Sequence, residues 1–269
     1  MIERNKKYLQ IAFNRSLKEV AVMINLLPLS DRIILEAGYP LIKDYGVDVI
    51  DSIRGFWQQK FFSPEDPRSG MKNFKLETLG LKELRDLLLK KNSFKKIFQE
   101  NKNKDKIVAI NPYIVADLKC MDRAFTEVEA AKGAGAEAVT CLGLAPVETI
   151  DAFIEKCEEI KIDSFLDMLN VEYPFEVLSK LKRLPKVVML HRGVDEGETN
   201  REKEVPYHQI ERIKGTYDNI LIAIAGGETV REAITGGFND ADIVIVWKLF
   251  NENPDKIAEL TEEFLEKTK

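Results

Sequence analysis

The run Asp117-Leu118-Lys119-Cys120-Met121-Asp122 sets a lysine between two carboxylates. If Asp117 and Lys119 lie on one strand, the alternation of side chains puts both on the same face. Such an array keeps the lysine charged and offers a fixed cation to an anionic intermediate, the preorganisation that stabilises enolates. A plainer reading of the same residues is an ion pair, with Asp122 as the N-cap of the next helix. His191 closes the apolar run V-V-M-L-H. Histidine titrates near 6.5, which suits proton transfer at neutral pH, so His191 reads as a general acid or base. His208, the other histidine, lies in a charged helical stretch and is expected to be exposed and inert.

Other short apolar runs also end in polar residues. Asn14 follows L-Q-I-A-F, Glu36 follows I-I-L, either Thr140 or Cys141 ends the run that begins A-V, and Asp167 follows S-F-L. Carboxylates gathered at neighbouring strand ends repel one another unless a cation or a substrate balances them. That pattern points to a metal site. Gly226 and Gly227 follow A-I-A, where many barrels present backbone N–H groups to a phosphate. Lys248, after I-V-I-V-W, would supply the matching positive charge.

These positions require an architecture that brings strand ends together. Short β-rich runs alternate with helical-period runs along the chain, as expected for a parallel sheet with crossover helices. Strands are expected near Leu9–Phe13, Arg32–Glu36, Tyr113–Leu118, Ala136–Cys141, Ser164–Met168, Lys186–His191, Ile220–Ala225 and Asp242–Val246. Eight such units predict an α/β fold, a single (β/α)8 TIM barrel over residues 1–269, with its active site at the C-terminal strand ends. An open Rossmann-type sheet fits the periodicity too, but the first βα turn lacks G-x-G-x-x-G.

Residues 56–105, between the second and third strands, break the rhythm. They carry 12 Lys+Arg against 7 Asp+Glu in a chain of net charge -5. The segment reads as an insertion, either extra helices packed on the barrel or a basic lid or docking surface, with the packed helices favoured. The overall acidic balance argues against non-specific nucleic-acid binding. Cys120, Cys141 and Cys157 form no C-x-x-C pair. No apolar stretch is long enough to span a membrane, and M-I-E-R-N-K-K-Y-L-Q lacks a signal-peptide core. A cytoplasmic protein with no membrane partner is expected.

With these residues in view, the chain resembles the orotidine 5'-monophosphate decarboxylase suprafamily, and within it the 3-hexulose-6-phosphate synthases and 3-keto-L-gulonate-6-phosphate decarboxylases. The resemblance rests on D-x-K-x-x-D at Asp117, Lys119 and Asp122, with L-E-A-G-Y-P-L-I-K, G-L-A-P-V-E-T-I, L-D-M-L-N-V, L-H-R-G-V-D and A-I-A-G-G. Asp167 and Val194 resemble the synthase branch, where the decarboxylases use glutamate and arginine. The resemblance implies Mg2+ held by Glu36 and Asp117, with Lys119 and Asp167 around an enediolate and His191 moving a proton. It implies a sugar phosphate substrate held near Asn14, Gly226, Gly227 and Lys248. It also implies a homodimer with shared active sites, Asp122 reaching into the partner's.

The expected reaction is an Mg2+-dependent aldol addition of ribulose 5-phosphate to formaldehyde, or its reverse. Departures from the family pattern cluster where substrate is recognised. Asn14 stands in place of aspartate, Tyr39 of a smaller residue, Glu228 of an apolar one, and Trp247-Lys248 of glycine and arginine. They define a second expectation, a related barrel enzyme acting on a different and even non-phosphorylated substrate. A third is a non-catalytic barrel that docks a partner through the insertion.

Overall fold

The structure, a computed structural model, describes residues 2–60, 111–200, 202, 204–226, 240–253 and 256–268. Its centre is a closed barrel of parallel strands in chain order: β1 (Tyr8–Phe13), β2 (Ile33–Ala37), β3 (Tyr113–Cys120), β4 (Ala138–Leu142), β5 (Asp163–Asp167), β6 (Val187–His191), β7 (Leu221–Ala225) and β8 (Ile243–Val246). β8 closes on β1 with Tyr8 beside Ile243 and Ile11 beside Val246. The open sheet is thereby excluded, and the (β/α)8 barrel expected from the alternating runs is the fold.

Alternation along each strand separates two cores. Tyr8, Ala12, Ile34, Val115, Phe165, Met189, Ala223 and Ile245 fill the barrel interior. Their neighbours Leu9, Ile11, Phe13, Leu35, Val139 and Leu166 face outward and pack under the helices. The helices are α1 (Leu17–Leu26), α2 (Tyr39–Tyr45), α3 (Val49–Gln59), α4 (Ala124–Gly133), α5 (Val147–Glu159), α6 (Pro174–Leu178), α7 (Val194–Thr199), α8 (His208–Thr216), α9 (Lys248–Glu252) and α10 (Ile257–Lys267).

Local chemistry starts and stops these elements. Ser16 and Glu19 form a capping box at α1, the Glu19 carboxylate accepting from the Ser16 N–H at 3.1 Å. Phe56 and Trp57 are buried on α3 with Val49, Ile50 and Ile53, at the spacing of one helix face. Just past α3, the Lys60 ammonium donates to the carbonyls of Ile24 (2.7 Å), Asn25 (3.1 Å) and Leu27, satisfying the C-terminal end of α1. Residues 61–105, the rest of the segment read as an insertion, lie outside the described residues.

At the opposite end from the expected active site, the barrel is plugged. Ile2 is 5 % exposed and joins the interior core, while the Tyr113 hydroxyl donates to Asp163 at 2.6 Å. Arg32, at the entry to β2, donates to the carbonyls of Lys7 (2.8 Å), Leu265 (2.7 Å) and Thr268 (2.8 Å) and to the Thr268 hydroxyl (2.6 Å). It ties the first strand to the last helix.

Candidate active site

Interior positions that are apolar in the middle of the barrel turn polar at the C-terminal strand ends, and there they form a connected network. Asp167, the last residue of β5, is fully buried. Its carboxylate accepts from Lys119 Nζ at 3.0 Å, from the Leu169 N–H at 3.0 Å and from His191 Nδ1 at 2.9 Å. Burial alone would raise the Asp167 pKa, but His191 and Lys119 outweigh it and hold the carboxyl below its usual range. An ionised carboxylate only accepts hydrogen bonds, so the proton of the His191–Asp167 bond sits on Nδ1. In the neutral imidazole the lone pair is then on Nε2.

Lys119 also stands 3.3 Å from Asp117. Burial pulls its pKa down, yet the charges of Asp117 and Asp167 reverse that and hold it above the usual lysine value. The ammonium is therefore a permanent cation between two carboxylates. Its backbone is unusual, with φ at 48°, in the left-handed region that non-glycine residues rarely enter.

Glu36, on β2, and Asp117, on β3, are each 7 % exposed. The Gln10 amide donates to Glu36 at 2.5 Å, and the Thr140 hydroxyl donates to Asp117 at 2.8 Å. Burial, and then the charge of Asp117, push the Glu36 pKa up to about 7, while Gln10 and Lys119 pull against the shift. The carbonyl oxygen of Gln10 is buried and meets no donor among the described residues.

A cavity of about 390 Å³ opens over this network. Glu36, Asp117, Lys119 and His191 line it, with Asn14, Tyr39, Arg192, Gly226, Trp247 and Lys248 around them. Asn14 packs so tightly on Gly38 that a Cβ there would lie 1.8 Å from its side-chain oxygen. Gly226 has φ at 101°, and a Cβ on it would lie 2.4 Å from the Arg192 carbonyl. Gly227 and Glu228 lie outside the described residues.

Asp122 is not drawn into this cluster. It is exposed, and its carboxylate accepts from the Arg123 N–H at 2.8 Å. Arg123, and not Asp122, is the N-cap residue of α4, so the helix-cap reading of Asp122 is replaced by a turn contact. His208, at the start of α8, is exposed and away from the cavity.

Gln10, Thr140 and Arg192 are the neighbours the expected site set lacks. An apolar run with one internal glutamine reads as an ordinary strand. Only the pairing of Gln10 two residues ahead of Ala12, which lies beside Glu36, reveals the contact. Arg192 follows the histidine directly and could have been read as a second cation at the mouth.

Comparison with known proteins assigns the barrel to a family. Residues 94–246 match the Orotidine 5'-phosphate decarboxylase / HUMPS family. The chain belongs to this family. A curated relative, "Bifunctional enzyme Fae/Hps" of Methanothrix thermoacetophila, is 32% identical over 266 residues, covering 97% of this chain and 53% of that protein. The chain thus spans about half the length of the curated relatives it matches. Among solved members of the fold, 3-hexulose-6-phosphate synthase from Salmonella typhimurium superposes with a TM-score of 0.67 at 20% identity, covering 97% of this chain and 100% of that one. The 3-keto-L-gulonate-6-phosphate decarboxylase of Vibrio cholerae superposes at 0.64 and 16% identity, covering 98% and 99%. In this family member the network of Asp117, Lys119, Asp167 and His191 occupies the mouth of the barrel.

Proposed function

We propose that the protein is an Mg2+-dependent aldehyde-lyase of the 3-hexulose-6-phosphate synthase type, joining ribulose 5-phosphate to formaldehyde or cleaving the hexulose 6-phosphate product. The observation that carries this reading is the Lys119–Asp167–His191 chain, which leaves a fixed cation and a basic imidazole nitrogen facing one cavity. The names of the curated relatives and of the Salmonella structure point the same way.

The chemistry follows from the residues. His191 Nε2 takes a proton from C1 of the ketose, giving a 1,2-enediolate. The Lys119 ammonium, already charged and held by Asp117 and Asp167, lies ready for the developing negative charge and need not reorganise. C1 then forms the new bond to the formaldehyde carbon, and the former aldehyde oxygen receives a proton to become the terminal hydroxyl. Asp167 stabilises the imidazolium of His191 between the two transfers. Cleavage is the reverse sequence.

Glu36 and Asp117 fit a hard divalent ion. Both are buried oxygen donors, and the charge of Asp117 raises the cost of ionising Glu36 unless a further cation stands between them. No group of three or more His, Cys, Asp or Glu forms a complete cage among the described residues. Mg2+ suits such a site, because it keeps several waters and takes substrate oxygens as ligands. When bound, it supplies Lewis-acid stabilisation of the enediolate charge.

For the phosphate, Gly226 and Lys248 at the far strands give the remaining polar wall, and Asn14, packed on Gly38, is available to the sugar hydroxyls. A second reading keeps the same machinery with another substrate, and Trp247 favours it, since its ring lines the wall where a phosphate would be held. Exposed Met121 and Phe125 stand near Asp122 in the chain, and exposed Leu144, Tyr173 and Val194 follow β4, β5 and β6. They support a homodimer in which Asp122 completes the neighbour's cavity. We place the protein in the cytoplasm, which would keep its buried cysteines reduced; among the described residues, no helix is long and apolar enough to cross a membrane.

The test is turnover of ribulose 5-phosphate and formaldehyde with and without Mg2+. Metal-dependent condensation supports the synthase. Folded protein that binds Mg2+ but leaves this pair unchanged transfers the case to the altered-substrate reading.

A further inference from the structure

The contact between β3 and β4 is not a regular ladder. Ala116 lies beside Val139 and Cys120 beside Cys141, so Asp117, Leu118 and Lys119 together stand opposite Thr140 alone. An irregularity of this kind re-aims side chains and ends regular pairing. Here it produces the left-handed backbone of Lys119, a conformation that costs free energy and persists only where the surroundings hold it.

Thr140 is what holds it. The residue is 1 % exposed, and its single hydroxyl makes both contacts that the irregularity requires. Its proton goes to Asp117 at 2.8 Å, and its lone pair accepts the Lys119 backbone N–H at 3.0 Å. The direction of each bond is forced, because the backbone N–H can only donate and an ionised carboxylate can only accept.

We infer that Thr140 is a positioning residue: its hydroxyl sets the spacing between Asp117 and Lys119 and so aims the ammonium at Asp167 and the cavity. It touches no substrate and acts through the two residues it bridges. Valine has the same shape without the hydroxyl, and would leave a partly buried N–H and a buried carboxylate oxygen unpaired. Serine restores both contacts. The catalytic part of the inference rests on the proposed aldolase reading; the geometric part does not.

The experiment compares Thr140→Val and Thr140→Ser with the parent in three measurements: a crystal structure, Mg2+ affinity by calorimetry without substrate, and separate kcat and KM. For Thr140→Val, Lys119 should leave positive φ and lose its Asp167 contact, Mg2+ should bind more weakly, and kcat should fall about 100-fold, the scale of a small misplacement. KM should change far less, and Thr140→Ser should return to near parental values. A Thr140→Val crystal structure with Lys119 unmoved overturns the inference, as does unchanged kcat in that variant. Loss of melting temperature alone, with geometry and kcat kept, assigns Thr140 to stability only and overturns it too. If valine prevents folding, Thr140→Ala removes the same two bonds and carries the same outcomes. A parent that turns over no phosphoketose defeats the aldolase reading, while the crystal comparison still decides what Thr140 does.

Discussion

The role proposed for His191 depends on a bond made on the other side of its ring. With Nδ1 committed to Asp167, only Nε2 can exchange protons with a ligand. Replacing His191 by alanine should lower kcat about 10²- to 10⁴-fold, as loss of a general base does, with the fold kept and checked by circular dichroism. Glu36 makes a different prediction. Its carboxyl titrates near 4.5 in the unfolded chain and at about 7 in the metal-free fold. Between those values the folded state binds more protons, so this group's stabilising contribution is full below about 4.5 and is lost as pH rises through about 7. Glu36→Gln should therefore raise the melting temperature of metal-free protein over its parent at pH 8 and not at pH 4.5. Equal shifts at the two pH values would refute it. The identities of these residues could be read from the chain because each ends an apolar run. Thr140 too ends such a run, but the partners of its hydroxyl and of the Gln10 amide could not be read, since nothing local to either residue says which carboxylate it meets across the strands.

At the scale of elements, the strands were readable because each obeys one period and carries apolar residues on both faces. The bend inside β3 was not. Glycine or asparagine usually announces a left-handed position, and here a lysine occupies it because Thr140 compensates from the next strand. The β2–α2 turn is the converse case, where a glycine has a steric reason. Gly38 has an ordinary φ, but a Cβ there would strike Asn14 at 1.8 Å and the Phe13 carbonyl at 2.7 Å. Gly38→Ala should cost about 1–3 kcal/mol in chemical denaturation, the range of overpacked sites. It should also disturb Asn14, seen as a rise in KM for the proposed phosphoketose substrate. An unchanged midpoint and KM would mean that the turn relaxes freely.

Across the whole molecule, closure of the barrel depends on joining its ends, and Arg32 does so from β2 to the C-terminal end of α10. Its planar fork spans several carbonyls, which a single ammonium cannot reproduce. Arg32→Met should destabilise the fold by about 3 kcal/mol, since it removes several bonds made by a charged donor. Arg32→Lys should recover only part of that, measured by urea unfolding. No periodicity foretells this tie, because its acceptors are backbone carbonyls far along the chain.

The plug formed by Ile2 and the Tyr113–Asp163 pair has a kinetic meaning as well. A tube sealed at one end is a cul-de-sac, so its occupants queue. Glu36 and Asp117 lie deep, while Asn14, His191 and Lys248 are only partly buried above them. On the proposed reading, a cation held by Glu36 and Asp117 at the floor would arrive before the sugar and leave after it. A chelator should accordingly strip the ion quickly from the empty protein and slowly when substrate fills the mouth.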